Sequence, residues 1–156
     1  FCGNGGSASD SQNFSSELVG KFQNARKALR AIALTADSSI LTNIANDFSY
    51  KYVFSRQIEA LGRNGDILFP ISSSGESPNV LEAIKVANNL NMTSISLLGK
   101  GGGKAFDISQ TSIVIPSITA SLCPARPPMY IRSCSPTTSC PDILAIVSIS
   151  SSIISP

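Results

Sequence analysis

Apolar residues along the first 115 positions follow two alternating patterns, short unbroken runs and stripes at helical spacing. Phe1-Cys2 reads as the end of a strand. A glycine-rich turn, Gly3 to Ser7, leads to a helix over about Ala8 to Phe22, with Phe14, Leu18 and Phe22 at i, i+4 and i+8. Asp10, Asn13 and Glu17 share a different face of that helix. The run Ala31 to Thr35 predicts a second strand. Asp37-Ser38-Ser39 then caps a short helix carrying Ile40, Leu41 and Ile44, which Asn46-Asp47 is expected to break. A further helix is expected from Tyr50 to Leu61, with Phe54, Ile58 and Leu61 on one face and Gly62 just past its end. Ile67 to Ile71 predicts a third strand, and Pro78 to Leu90 a helix with Val80, Ile84 and Ala87 on one face. Thr93 to Leu98 and Thr111 to Ile115 predict two more strands, joined through a flexible connector, Gly99 to Lys104.

Strands alternating with helices predict an α/β domain, a parallel sheet covered on both faces. In such sheets ligands bind beyond the carboxyl ends of the strands. Three polar clusters fall there: Asn4 to Ser7, Asn46-Asp47 reached through the short helix, and Ser72 to Ser77. The last is the most pointed. Ser72-Ser73-Ser74-Gly75-Glu76-Ser77-Pro78-Asn79 follows a strand, and Ser77 before Pro78 reads as an N-cap with proline at the first helical position. Hydroxyls and backbone N–H groups at a helix start suit a phosphate, favoured further by the helix dipole. A serine-rich capped turn is the plainer reading of the loop alone. Three polar loops on one rim favour the site. Lys100 and Lys104 can approach an anion, but a solvated loop is the simpler account of them.

Composition narrows the chemistry. The chain has 156 residues, 12 basic and 10 acidic, for a net charge of +2. That balance gives no basic patch for nucleic acid or an anionic membrane. No apolar run approaches the ~20 residues of a spanning helix. No basic, signal-like segment opens the sequence, and the four cysteines, Cys2, Cys123, Cys134 and Cys140, form no C-x-x-C pair, so a cytoplasmic protein with free thiols is expected. There is no histidine, which removes the commonest general base and metal ligand.

After Pro116 the pattern changes. Residues 117–156 hold six of the nine prolines, three of the four cysteines and a single acidic residue, Asp142. No helical period survives Pro124, Pro127, Pro128, Pro136 and Pro141. The expectation is one folded domain over residues 1–117 and a tail over 118–156, either disordered or the product of a shifted reading frame.

The ordered text resembles the sugar isomerase (SIS) family, in its phosphoheptose isomerase branch. The resemblance is carried by Cys2-Gly3-Asn4-Gly5-Gly6-Ser7-Ala8, Phe14 with Glu17-Leu18-Val19-Gly20, and Ala31 to Thr35. It continues through Asn46-Asp47-Phe48, Arg56 to Arg63, Gly65-Asp66, Ile71 to Val80 and Gly102-Gly103-Lys104. It implies a three-layer fold with a five-stranded parallel sheet, N-terminal helices not found in these residues, and a homotetramer with sites shared between subunits. By position it implies that Asn4, Gly5, Gly6, Asn46 and Asp47 contact a sugar, and that Ser72, Ser73, Ser74 and Ser77 hold its phosphate. Glu17 takes the place of the catalytic carboxylate in an aldose–ketose isomerisation of sedoheptulose 7-phosphate, which feeds the heptose of bacterial surface polysaccharide.

The family's pattern also carries a zinc ion, held partly by Glu17's position and by a histidine one turn earlier, with a further histidine and glutamine on a C-terminal helix. Here Asn13 stands in place of that first histidine, and no C-terminal partner is recognisable. The expectation is therefore a chain that binds a sugar phosphate, isomerises it poorly or not at all, and holds zinc poorly. The alternative within the same branch is a non-catalytic binding protein, such as one that associates with a replication initiator.

Overall fold

The structure, a computed structural model, describes residues 1–21 and 24–116 and the backbone of 130–133. Its elements are β1 (Cys2–Gly3), α1 (Gly6–Val19), α2 (Ser38–Asp47), a 3₁₀ turn (Tyr50–Tyr52), α3 (Ser55–Leu61), β2 (Ile67–Leu68), β3 (Pro70–Ser72), α4 (Pro78–Asn89), β4 (Thr93–Leu98), α5 (Gly103–Ile108), β5 (Thr111–Val114) and β6 (Tyr130–Ser133). The α/β class with a parallel, helix-flanked sheet is as the pattern predicts.

The sheet runs in the order β1-β3-β4-β5-β6, with β2 also paired to β4. β2 and β3 pair with β4 in one continuous register, Ile67 opposite Thr93 and Ile71 opposite Leu97. They are thus a single strand line interrupted at Phe69, where Pro70 supplies no N–H to the ladder. β1, β2–β3, β4 and β5 are parallel, while β6 runs antiparallel to β5. Among the described residues the parallel sheet therefore has four strand lines rather than five.

The missing line is the expected strand at Ala31 to Thr35. The segment does run beside the start of β1, where Phe1 bonds to it twice, its amino group donating to the Ile32 carbonyl at 2.9 Å and its carbonyl accepting from Leu34 N at 2.9 Å, but no strand forms there. The Leu34 carbonyl is taken instead by the Gln57 amide, at 2.9 Å. Beyond Phe1 a buried glutamine, not a strand neighbour, takes the backbone acceptor. Other differences are local. Asn46-Asp47 does not break α2 but forms its last turn, and Asp37 caps the start by accepting from Ile40 N at 2.9 Å. The expected helix from Tyr50 divides into a 3₁₀ turn and α3. The connector Gly99 to Lys104 already contains the start of α5. The first helix begins at Gly6 and ends at Val19, capped by Gly20, short of the expected Phe22, because the glycine after Val19 ends the helix. The tail beyond Pro116, β6 apart, lies outside the described residues.

Side chains alternate along the strands, so the sheet has two cores. On one face Leu68, Leu98 and Val114 pack with Phe54, Ile58, Val80, Ile84 and Ala87 from α3, α4 and the turn before α3. On the other, Phe69, Ile71 and Ile95 pack with Phe14 of α1, and the rings of Phe1, Phe14 and Phe69 stand 5.4–5.8 Å apart. Serines punctuate the first face. Ser96 and Ser109 share a hydrogen bond of 2.5 Å, Ser94 donates to the Asn88 side chain at 2.8 Å, and the buried Ser112 hydroxyl has no partner among the described residues.

The end of the molecule opposite the serine loop holds an open hollow of about 790 Å³. The last turn of α1, residues 28–32, Leu61 and Ile67 line it. No described helix is long and apolar enough to cross a membrane.

Candidate functional site

The site forms where β1 and β3 end side by side. β3 finishes at Ser72, whose hydroxyl is buried and accepts from Gly75 N at 3.1 Å. Ser74 accepts from Glu76 N at 3.2 Å. Both hydroxyls keep their own proton, so each still has a donor for an incoming oxygen. Ser73 is exposed. Ser77 occupies the N-cap of α4 with Pro78 at the first position, as the sequence predicts, but its side chain caps nothing.

The loop is held from behind. Gly75 has φ +66°, and a Cβ there would stand 1.7 Å from the Gly102 carbonyl oxygen. Ala105 N donates to the Gly75 carbonyl at 2.9 Å, and Gly99 N to the Ser72 carbonyl at 3.1 Å. Glu76 accepts from both Lys104 Nζ at 2.7 Å and Lys104 N at 2.9 Å. Lys104 holds the Glu76 carboxyl below the usual carboxylate range, and Glu76 in turn raises Lys104. Lys104 is therefore engaged in bracing the loop, and the Gly99 to Lys104 segment is a packed clamp.

β1 brings in a second helix start. Gly5 (φ +56°) is the N-cap of α1, with no side-chain cap bond, and the space where a Cβ would stand on Gly5 or Gly6 is open. Asn4 and Asn79 tie the two helix starts together through reciprocal amide bonds of 2.9 and 2.8 Å. Two helix N-termini, neither capped by the side chain of its N-cap residue, thus lie beside the serine hydroxyls. The arrangement suits an anion.

Asn4, Gly5, Gly6 and the residues Ser72, Ser73, Ser74 and Ser77 are thus brought together by one chain. Asn46 and Asp47 sit at the exposed end of α2, bonded to each other at 2.9 Å. They connect to the site through the turn that follows, where the Tyr50 hydroxyl donates to Asn4 Oδ1 at 3.0 Å. Glu17 stands apart. It lies eleven residues after Gly6 on α1, which is ~16 Å along the axis, towards the hollow.

Two residues of this site, Asn79 and Tyr50, escape the sequence reading. Asn79 is a polar residue, 2% exposed, in the first turn of a helix whose other inward positions are apolar. That oddity was the available signal. Nothing in the sequence marks Tyr50.

The SIS domain model matches residues 1–99. The chain belongs to the SIS domain family. A phosphoheptose isomerase of Campylobacter jejuni is 54% identical over 117 residues, covering 75% of this chain and 63% of that protein. One from Helicobacter pylori is 52% identical over 117 residues, covering 75% of this chain and 61% of the relative. Among solved structures, phosphoheptose isomerase from Neisseria gonorrhoeae superimposes with a TM-score of 0.66 at 46% identity, covering 74% of this chain and 60% of that one. The Francisella tularensis enzyme gives 0.72 at 38% identity, covering 76% and 64%. The chain spans about three-fifths of the length of these SIS relatives.

Proposed function

We propose that this SIS chain carries the sugar-phosphate seat of a phosphoheptose isomerase-like protein acting on sedoheptulose 7-phosphate. The observation that carries the reading is the pair of helix starts, joined by Asn4 and Asn79 beside the serine loop. In it the phosphate sits against Ser72, Ser73, Ser74 and Ser77 and the N–H groups opening α4. The sugar extends over Gly5 and Gly6, past Asn4, towards Asn46 and Asp47.

Aldose–ketose isomerisation requires a base to take the proton next to the carbonyl and an acid to protonate the developing enediol. Glu17 is the candidate base. Its distance from the serine loop along α1 favours an assembly, a homotetramer in this reading, in which Glu17 of one copy serves the phosphate seat of another. Zinc does not fit the residues present. Asn13 and Glu17 offer one amide and one carboxylate, the chain has no histidine, and no group of three metal-ligating side chains occurs among the described residues. Catalysis by this chain is accordingly weak.

Calorimetric titration tests the seat. Sedoheptulose 7-phosphate should bind, sedoheptulose without its phosphate should not, and Ser73→Ala should weaken binding with no loss of stability. Equal binding of the two sugars would overturn the reading. Asn13 also favours a second one, a non-catalytic binding protein. In that case the phosphate-dependent affinity persists with no turnover, even with zinc added, and a protein such as a replication initiator is the partner to seek by pulldown.

A further inference from the structure

The hydrogen-bond network fixes which way the Asn4 amide faces, and with it what the site can recognise. An amide's oxygen and nitrogen are distinguished by their partners. One partner here is unambiguous. Val80 N, a backbone donor, lies 3.0 Å from the Asn79 side chain, so the atom it meets is Oδ1. The Asn4 atom 2.9 Å from that oxygen is then the nitrogen. Asn4 Oδ1 is the other atom, and it accepts from Asn79 Nδ2 at 2.8 Å and from the Tyr50 hydroxyl at 3.0 Å.

Both lone pairs of Asn4 Oδ1 are therefore used, while Asn4 Nδ2 has donated one of its two protons and keeps one. We infer that Asn79 and Tyr50 are positioning residues that make Asn4 a pure donor towards the ligand, so that the site selects an oxygen acceptor, carbonyl or phosphoryl, at that point. The inference deepens the sugar-phosphate reading and rests on it for the ligand's identity. The assignment of the amide rests on the protein alone. Without Tyr50, one lone pair of Asn4 is released. Without the Asn79 amide, Asn4 is free to turn its oxygen outward and repel the acceptor.

The test combines binding and side-chain NMR. Tyr50 is exposed, so Tyr50→Phe removes one hydroxyl and leaves the fold intact. Asn79→Asp keeps the acceptor for Val80 N and deletes the donor to Asn4. Each variant should weaken sedoheptulose 7-phosphate binding, roughly five-fold for Tyr50→Phe, as for one modest hydrogen bond, and more for Asn79→Asp. In an Asn4→Ala background neither change should weaken it further. Unchanged affinity in the single variants, or an equal loss with Asn4→Ala already present, would overturn the positioning role. The ¹⁵N–H₂ signals of Asn4 in the ligand-free protein give a separate answer. They should move in Tyr50→Phe, and a signal that stays put sinks the assignment. A wild-type chain that binds no sugar phosphate but shows the expected shift would defeat the functional reading while leaving the amide orientation standing.

Discussion

Gly75 and Gly102 touch so closely that Gly75 cannot gain a side chain at the contact. The Gly102 carbonyl oxygen fills the place of a Gly75 Cβ, and the Gly75 backbone is already left-handed. Gly75→Ala therefore meets both overlap and strain. The strain alone costs about 1–2 kcal/mol. Gly101 is also left-handed, at φ +81°, but with nothing within 4 Å of a Cβ. Gly101→Ala should lose only the strain. Urea denaturation should rank Gly75→Ala well below Gly101→Ala, and the phosphate affinity should fall only in the former.

Gln57 anchors the Ala31 to Thr35 segment where its backbone pairing with Phe1 ends. Its amide donates to the carbonyls of Leu34 and Val53, at 2.9 and 2.7 Å, and the side chain is 6% exposed. Gln57→Leu keeps the volume and strands a buried acceptor at Leu34. The expected loss is about 1–3 kcal/mol. It should appear as a lower urea midpoint with an unchanged slope.

The Glu76–Lys104 pair gives the loop a pH signature. The folded state holds the Glu76 carboxyl below its usual range, the Lys104 hydrogen bond being the largest cause. Its contribution is thus complete above the unfolded carboxylate range and is lost as pH falls through the lowered value. Glu76→Gln should be slightly destabilising at pH 7 and neutral in strong acid. Because the pair is exposed, the effect should be small and shrink in high salt.

Cys2 should be inert. It is fully buried in β1, and burial pushes its thiol up to about 12. Iodoacetamide at pH 8 should leave Cys2 unmodified in the native protein and label it after unfolding, as peptide mass spectrometry would report.

What the sequence made legible follows from where the information lies. The strand runs at Ile67 to Ile71, Thr93 to Leu98 and Thr111 to Ile115 are covered on both faces over most of their length, Ile67 excepted, so their composition declares them. The Ser77-Pro78 start of α4 is local chemistry and is equally readable. Ala31 to Thr35 has the composition of a strand, but its backbone pairing stops at Phe1 and the Leu34 carbonyl goes to Gln57, more than twenty residues on, and no local pattern encodes that. The clamp at Gly99 to Lys104 reads as flexible because glycine signals both freedom and close approach, and only the partner backbone at Gly75 decides between them. The serine loop and the Asn4 turn were visible as polar strand ends. Tyr50 and Asn79 were not, because they act through another side chain.

The hollow at the far end of the sheet has a practical consequence. Val19, Leu29, Ile32, Leu61 and Ile67 line it and are each about half exposed. Environment-sensitive dyes such as ANS report accessible apolar surface, and their fluorescence is commonly taken as a sign of lost tertiary packing. This protein should light such a dye while fully native. Dye-based melting curves will start from a bright baseline, and circular dichroism in the near ultraviolet is the sounder gauge of whether a preparation is folded.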